Sequence, residues 1–167
     1  MLTRATVKGP WWNEYDRSVL SDKEIAARCA AQAGDYAADV YTLFAHPEKL
    51  IETYPYSRAW ILDLRRRGYR VYLLSNFGKT SFEANLPKMD FVDAADGGVI
   101  SFEVGELKPD RAIFTALEEK YHLLPEECIF LDDNAENISA ALKSGYHALL
   151  FEGKEKAERE ILAIGKK

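Results

Sequence analysis

The sequence predicts an α/β fold in which a parallel sheet is covered by helices on both faces, with a helical region before it. From Pro55 onward, apolar runs of strand length alternate with helical patterns, as parallel sheets require. Residues 1 to about 56 carry helical patterns and no convincing strand. The 167 residues suffice for one domain and a small additional part. We expect a helical region over 1–56, an α/β core over 57–152, and a charged C-terminal helix or tail over 153–167.

Two helices are predicted in the helical region. Ser21-Asp-Lys-Glu24 is a capping box, in which a serine and a glutamate satisfy each other's backbone amides. The helix that it opens ends near Gly34 and has an inner face of Ile25, Cys29 and Ala33. The second helix stops before Pro47 and has an apolar face of Tyr36, Val40, Leu43 and Phe44. We interpret the aromatic cluster of Trp11, Trp12 and Tyr15 as packing for these helices; the alternative is a role in closing over a substrate.

The core region supplies the alternating elements. A helix is predicted over 57–67, with Gly68 after its last turn. Predicted strands cover 69–74, 128–131 and 147–151, with a weaker one over 91–95. Two further helices are expected between the strands, one faced by Ile113, Leu117 and Tyr121 and the other by Ile138, Ala141 and Leu142.

Composition excludes several classes of function. The net charge is −5 and no long run of one sign occurs before the tail, so binding to nucleic acid or to an anionic membrane is not indicated. The apolar runs are too short to cross a bilayer, and the start lacks the apolar stretch of a secretory signal. Cys29 and Cys128 have no metal-ligand spacing and fit small buried side chains in a reducing compartment. We therefore expect a cytoplasmic protein.

A pair of adjacent acids is the most informative feature of the sequence. The apolar run that begins at Ile129 ends in Asp132 and Asp133, and a helical pattern follows at once. Adjacent carboxylates repel each other and resist desolvation, and a hard cation such as Mg²⁺ relieves both effects. Asn137, one turn further on, is a candidate to support such a site. The alternative is that Asp133 or Asn134 merely caps the helix.

Two other predicted strand ends carry polar groups. Ser75 and Asn76 follow the strand over 69–74, and the serine hydroxyl and nearby amides suit an anionic oxygen. Lys108 precedes Pro109 at a helix start and could neutralise a phosphate or shield crowded carboxylates. The alternatives are a plain helix cap for the serine and a solvated surface lysine. It is the order of the three sites along the chain that favours a shared function.

These motifs, over 73–76, 106–110 and 130–137, resemble those of the haloacid dehalogenase-like hydrolase superfamily, in particular the phosphatase branch with a small helical cap. The resemblance implies a Rossmann-like three-layer parallel sheet with an N-terminal helical cap. It also implies an Mg²⁺-dependent phosphatase acting on a small phosphorylated metabolite, such as a sugar phosphate. The paired acids make a dehalogenase or an epoxide hydrolase of the same superfamily a weaker candidate.

The same resemblance implies a role for each site residue. Ser75 would bind phosphate, and Asn76 would shape its loop. Lys108 would hold the nucleophile and the phosphoryl group. Asp133 would be a direct Mg²⁺ ligand, and Asp132 would bind the metal or position its water.

The sequence departs from the family at the nucleophile. Family members begin with an apolar strand ending in Asp-x-Asp, whose first Asp attacks phosphorus, and no such segment occurs here. Asp16 and Asp22 follow no apolar strand and do not replace it. We therefore expect little or no turnover from these 167 residues. The alternative function is a non-catalytic protein that binds phosphate or metal, or that acts by assembly.

The absent strand would also be the central strand of the sheet, between the Ser75 strand and the Asp132 strand. Its absence leaves an unpaired edge on each of them. Three outcomes are open. The two strands pair with each other, another chain fills the gap in a homo-oligomer, or the sequence is part of a longer protein. The last is the outcome we favour, because every remaining motif is intact.

Overall fold

The computed structural model describes residues 2–165, which fold into two compact units that divide after Leu107. The first unit contains the helices α1 (Leu2–Ala5), α2 (Trp12–Arg17), α3 (Asp22–Ala33), α4 (Ala37–Ala45), α5 (Ser57–Arg66), α6 (Lys79–Asn85) and α7 (Ser101–Val104), with the strands β1 (Tyr72–Ser75) and β2 (Gly97–Ile100). The second contains α8 (Arg111–Tyr121), β3 (Ile129–Asp132), α9 (Ala135–Lys143), β4 (His147–Leu150) and α10 (Lys154–Ile164). None of these helices is long and apolar enough to cross a membrane.

The helical region is organised around α3, whose start is the predicted capping box. The Ser21 Oγ accepts a hydrogen bond from the Glu24 amide at 3.3 Å, and the Ser21 amide donates to the Glu24 carboxylate at 3.1 Å. The predicted inner face is confirmed, since Ile25, Cys29 and Ala33 are buried. The core that they form also includes Ala5, Tyr15, Ala30 and Val40.

The aromatic side chains of this region pack on one another, as predicted. The ring centroids of Trp12 and Tyr15 lie 5.1 Å apart, and those of Tyr15 and Phe44 lie 5.2 Å apart with their planes perpendicular. The prediction for Tyr36 is wrong, because this side chain is 47% exposed. Tyr36 belongs to a short 3₁₀ turn, Gly34–Tyr36, and α4 begins only at Ala37. Tyr36 therefore does not share the apolar face of α4.

β1 and β2 are parallel, with Leu73 opposite Gly98 and Ser75 opposite Ile100. The weaker strand predicted over 91–95 is wrong. Successive amides there bond three residues back, as from Ala94 to the Phe91 carbonyl at 3.1 Å, which makes a series of turns. The strand forms later, at Gly97–Ile100, where the lack of a side chain at Gly98 lets β2 lie close to β1: an added Cβ would lie 2.5 Å from the Leu73 carbonyl oxygen.

The second unit is built on the parallel pair of β3 and β4, with Asp132 opposite Leu150. Its aromatic core joins α8 to both strands, since the Phe114 ring lies 5.3 Å from that of Phe130 and 5.7 Å from that of Tyr146. On α9 the prediction for Leu142 is wrong, because this side chain is 56% exposed. The buried polar residue of that helix is Asn137.

The predicted strands near 69–74, 128–131 and 147–151 are confirmed as β1, β3 and β4, with shifts of up to three residues at their ends. Each ladder among residues 2–165 contains two strands, so the outcome in which the strands of Ser75 and Asp132 pair with each other is wrong. All four residues of β1 are only partly buried. A parallel strand is normally covered on both faces, so the incomplete burial of Leu73 and Leu74 is unusual.

The close approach at Gly98 yields a prediction. We expect Gly98→Ala to lower the free energy of unfolding by about 1–3 kcal/mol, because the added methyl forces β1 and β2 apart. Thermal denaturation followed by circular dichroism measures this loss. Gly68→Ala is the control, since no atom lies within 4 Å of its added Cβ and only the strain of its positive φ of 94° remains. Equal losses in the two variants would contradict the steric argument.

Candidate active site

The Ser75 strand end is held by hydrogen bonds from outside its own loop. The Phe77 amide donates to the Ser101 Oγ at 2.8 Å, and the Lys79 amide donates to the Ser18 Oγ at 2.9 Å. The Ser101 hydroxyl in turn donates to the Asp16 carbonyl at 2.6 Å. Ser101 directly follows β2, so the pairing of the two strands places its hydroxyl beside the loop that leaves β1.

These bonds change the expectation for the Ser75 loop. The amides of Phe77 and Lys79 have partners within the protein, so the structure does not offer these two amides to an anionic oxygen. The alternative of a plain helix cap is wrong, because α6 begins at Lys79 and its capping position is Gly78.

Asp16, at the end of α2, is a buried carboxylic acid beside this loop. Only 8% of the residue is exposed, and burial raises the pKa of its carboxyl from 3.8 to about 7. A hydrogen bond from the Gly78 backbone amide acts in the opposite direction on that pKa. Tyr15 lies against the same glycine: a Cβ at Gly78 would be 2.8 Å from the Tyr15 Cε1. Burial raises the pKa of Tyr15 to about 12.

Sequence reasoning missed Asp16, Ser18 and Ser101. Asp16 was considered only as a replacement for the nucleophile. Neither Ser18 nor Ser101 lies in a recognisable motif. A signal was available in Asp16 itself, an acid next to Tyr15 within a cluster of aromatic residues.

The second group of predicted residues converges on Asp132. The Lys108 Nζ donates to the Asp132 Oδ2 at 2.6 Å, and the two side chains are only 11% and 5% exposed. The Asp132 Oδ1 accepts from the Asn134 amide at 2.9 Å and from the Asn137 Nδ2 at 3.0 Å. The lysine Nζ also lies 5.6 Å from the centre of the Phe130 ring. The alternative of a solvated surface lysine is therefore wrong.

Asp133 differs from its neighbour in its surroundings. It is exposed, whereas Asp132 is buried. Asn134 is the residue that caps α9, because its Oδ1 accepts from the Glu136 amide at 2.8 Å. The cap expected as the alternative is thus supplied by Asn134, which leaves the Asp133 carboxylate on the surface at the end of β3.

The side-chain oxygens of Asp132, Asp133 and Asn137 supply some, but not all, of the ligands that a hard cation needs. The buried Oδ1 of Asn137 has no hydrogen-bond partner among the described residues. The orientation of this amide is fixed, because reversing it would place two oxygens against each other at Asp132. No three His, Cys, Asp or Glu side chains in residues 2–165 gather into a metal site. A cation held here would therefore need water, backbone or phosphate oxygens, a ligand set that suits Mg²⁺.

The structure thus places the predicted residues in two groups. Ser75 and Asn76 lie at the end of β1 in the first unit. Lys108, Asp132 and Asn137 are joined by hydrogen bonds in the second unit, with Asp133 next to them on the chain.

Curated proteins with similar sequences are longer than this chain. Drimenol cyclase drtB of Aspergillus calidoustus is 29% identical over 156 residues, which are 92% of this chain and 30% of that protein. D-ribitol-5-phosphate phosphatase of Bacteroides thetaiotaomicron is 30% identical over 111 residues, which are 63% of this chain and 53% of that protein. The chain therefore spans between about a third and about half of the length of these relatives, whose names describe different activities.

A solved structure with the same fold is that of a HAD family enzyme from Bacteroides thetaiotaomicron in complex with magnesium and inorganic phosphate. It aligns with a TM-score of 0.67 over 89% of this chain and 77% of that chain, at 22% identity. This likeness establishes the fold and confirms the predicted α/β class. Residues 9–145 match the family model for haloacid dehalogenase-like hydrolases, and the chain belongs to that family.

Proposed function

We propose that this chain carries the phosphate- and Mg²⁺-binding part of a phosphatase that acts on a small phosphomonoester, such as a sugar phosphate. The observation that carries the proposal is the buried contact between Lys108 and Asp132, which Asn137 also joins. A lysine ammonium held beside a carboxylate at a strand end suits the charge of a phosphoryl group. The relative named as a ribitol-5-phosphate phosphatase supports the choice of substrate class.

Each predicted site residue has a separate role in this proposal. The exposed carboxylate of Asp133 would hold the cation, with Asp132 fixing the neighbouring lysine and amide. Mg²⁺ supplies neutralisation of the phosphoryl charge when it is bound. The Lys108 ammonium would add a second positive charge to the cation site of the second unit. In the first unit, the Ser75 hydroxyl would donate a hydrogen bond to an anionic oxygen. Asn76 would shape the backbone beside that hydroxyl.

Turnover requires a nucleophilic carboxylate in addition to the binding residues. No apolar strand ending in Asp-x-Asp occurs in the sequence, and such a strand supplies the attacking carboxylate that the resemblance implies. We therefore propose that these 167 residues bind the phosphoryl group and the cation but turn over little or no substrate by themselves. The same residues would serve the alternative function, a non-catalytic protein that binds phosphate or metal.

A cation-binding measurement tests the role of Asp133. We expect isothermal titration with Mg²⁺ in the presence of inorganic phosphate to show binding that Asp133→Asn weakens by about tenfold or more, because a carboxylate ligand becomes neutral. Glu126→Gln is the matched control: it makes the same charge change at an exposed residue before β3, at the opposite end of that strand. Equal loss in both variants, or none in either, would contradict the assignment.

A double-mutant cycle tests the buried ion pair of Lys108 and Asp132. We expect Lys108→Met to lower the free energy of unfolding by about 3–5 kcal/mol, because it leaves the Asp132 carboxylate buried without its cation. Adding Asp132→Asn should restore most of that loss, since the amide is neutral and keeps an oxygen for Asn134 and Asn137. Chemical denaturation measures all four proteins. Additive losses would show that the two side chains act independently.

A turnover assay tests the remaining claim. We expect the 167-residue chain to hydrolyse p-nitrophenyl phosphate and ribitol 5-phosphate in Mg²⁺ no faster than the buffer does, because no nucleophilic strand end is present. Released phosphate is the quantity measured, and Asp133→Asn is the control for contaminating phosphatase. Hydrolysis by the unmodified chain that Asp133→Asn abolishes would overturn this expectation and identify a working enzyme.

A further inference from the structure

The first amide of α6 is bonded by a side chain that lies far away in the sequence. Lys79 opens α6, and the first amides of a helix have no partner inside it. Their usual partner is a side chain at the residue just before the helix, but that residue is Gly78, which has none. The Lys79 amide donates instead to the Ser18 Oγ at 2.9 Å, from a residue 61 positions earlier. Ser18 thus caps α6 from outside that helix.

Gly78 cannot carry a capping side chain, because α2 occupies the space that it would need. A Cβ at Gly78 would lie 2.8 Å from the Tyr15 Cε1 and 2.9 Å from the Tyr15 carbonyl oxygen. A residue other than glycine would therefore require α2 to move. The same helix ends just before Ser18, so the element that excludes a local cap also brings the hydroxyl that replaces it.

Ser18 has a left-handed backbone, which glycine normally supplies after a helix. Its φ is 52° and its ψ is 35°, values that are unfavourable for a residue with a Cβ. His122 is the other non-glycine residue with a positive φ in residues 2–165. A glycine at position 18 would end α2 with less strain, but it would lack the hydroxyl. That hydroxyl bonds on two sides, since it accepts from the Lys79 amide and donates to the Tyr15 carbonyl at 3.3 Å.

The segment over 77–79 has a second connection to the end of α2. The Phe77 amide donates to the Ser101 Oγ at 2.8 Å, and the Ser101 hydroxyl donates to the Asp16 carbonyl at 2.6 Å. The end of α2 therefore reaches both ends of this short segment, directly through Ser18 and indirectly through Ser101.

We propose that Ser18 is a positioning residue: its hydroxyl caps α6 and so holds residues 77–79 in the arrangement that Ser75 and Asn76 need in order to bind an anion. The part concerning anion binding rests on the proposed function. Ser18 does not touch the anion in this proposal, and it acts only through the backbone amide of Lys79.

Hydrogen exchange followed by nuclear magnetic resonance on the full chain tests the cap. We expect the Lys79 amide to exchange about fivefold faster in Ser18→Gly and in Ser18→Ala, because each removes the acceptor. Ser18→Asn should keep exchange slow, since asparagine tolerates the left-handed region and caps helices. Thr42→Ala removes a hydroxyl that bonds the Ala38 carbonyl within α4, and it is the control. Unchanged exchange at Lys79 in both Ser18→Gly and Ser18→Ala overturns the proposal, whether or not any anion binds.

Melting temperatures separate positioning from overall stability. Ser18 is exposed, so its replacement leaves no cavity and the variants should fold. We expect Ser18→Gly to melt above Ser18→Ala, because glycine suits a φ of 52°, although both variants free the Lys79 amide. His122→Gly makes the same kind of backbone change after α8 and should not alter exchange at Lys79. Exchange at Lys79 that follows the melting temperature, instead of the presence of an acceptor at position 18, would show a merely structural role and overturn the proposal.

Inorganic phosphate is the probe for the consequence at the site. Titration followed at the amides of Ser75 and Asn76 should show binding about threefold weaker in Ser18→Gly and in Ser18→Ala, because binding must then order the freed segment again. Ser18→Asn should bind phosphate as the unmodified chain does. Unchanged affinity in variants whose Lys79 amide exchanges fast would show that the cap does not act on the site, and would overturn the proposal. If phosphate does not bind the unmodified chain at all, the proposed function fails, whereas exchange at Lys79 still decides whether Ser18 holds α6.

Discussion

The buried ion pair of Lys108 and Asp132 is the constraint on which the second unit depends. Two charges removed from water are stable only when each has a partner and the remaining oxygens are bonded. Here one carboxylate oxygen faces the ammonium and the other accepts from the Asn134 amide and the Asn137 side chain. The pair therefore fixes Lys108, which lies three residues before α8, the end of β3 and the first turn of α9 relative to one another. Asp133 follows Asp132 in the chain, so the bonds that hold Asp132 and Asn134 also restrict the backbone of this exposed acid.

The first unit achieves comparable order with hydroxyl and amide groups. The backbone of its loop after β1 is held by the Ser18 and Ser101 hydroxyls, and the Ser101 hydroxyl in turn bonds the Asp16 carbonyl. Ser101 reaches the loop because β2 ends in register with β1. Ser18 reaches it because α2 packs against Gly78. The helical region is thus bonded directly to the loop that carries Ser75 and Asn76.

The elements with local signals were predictable from sequence. The capping box at Ser21, the glycine after α5 and the apolar runs of β1 and β3 depend on neighbouring residues only, and the structure confirms them. β2 was missed because it begins with two glycines, which are rare in strands. Its position depends on the close approach of Gly98 to Leu73, a contact between residues far apart in the sequence. Tyr36 and Leu142 were misplaced because helical spacing alone does not determine where a helix starts or which side is covered.

The candidate site divides in the same way. Lys108 and Asp132 were predicted as functional residues from motifs, but their direct contact follows from the fold. Asp16 had no motif, and its importance arises from burial, which no local pattern encodes. The two buried acids also differ in their contacts, since the Asp132 carboxylate faces the Lys108 ammonium whereas the Asp16 backbone carbonyl accepts a hydrogen bond from Ser101. Burial disfavours the charged form of a carboxyl and raises the pKa of Asp16 to about 7.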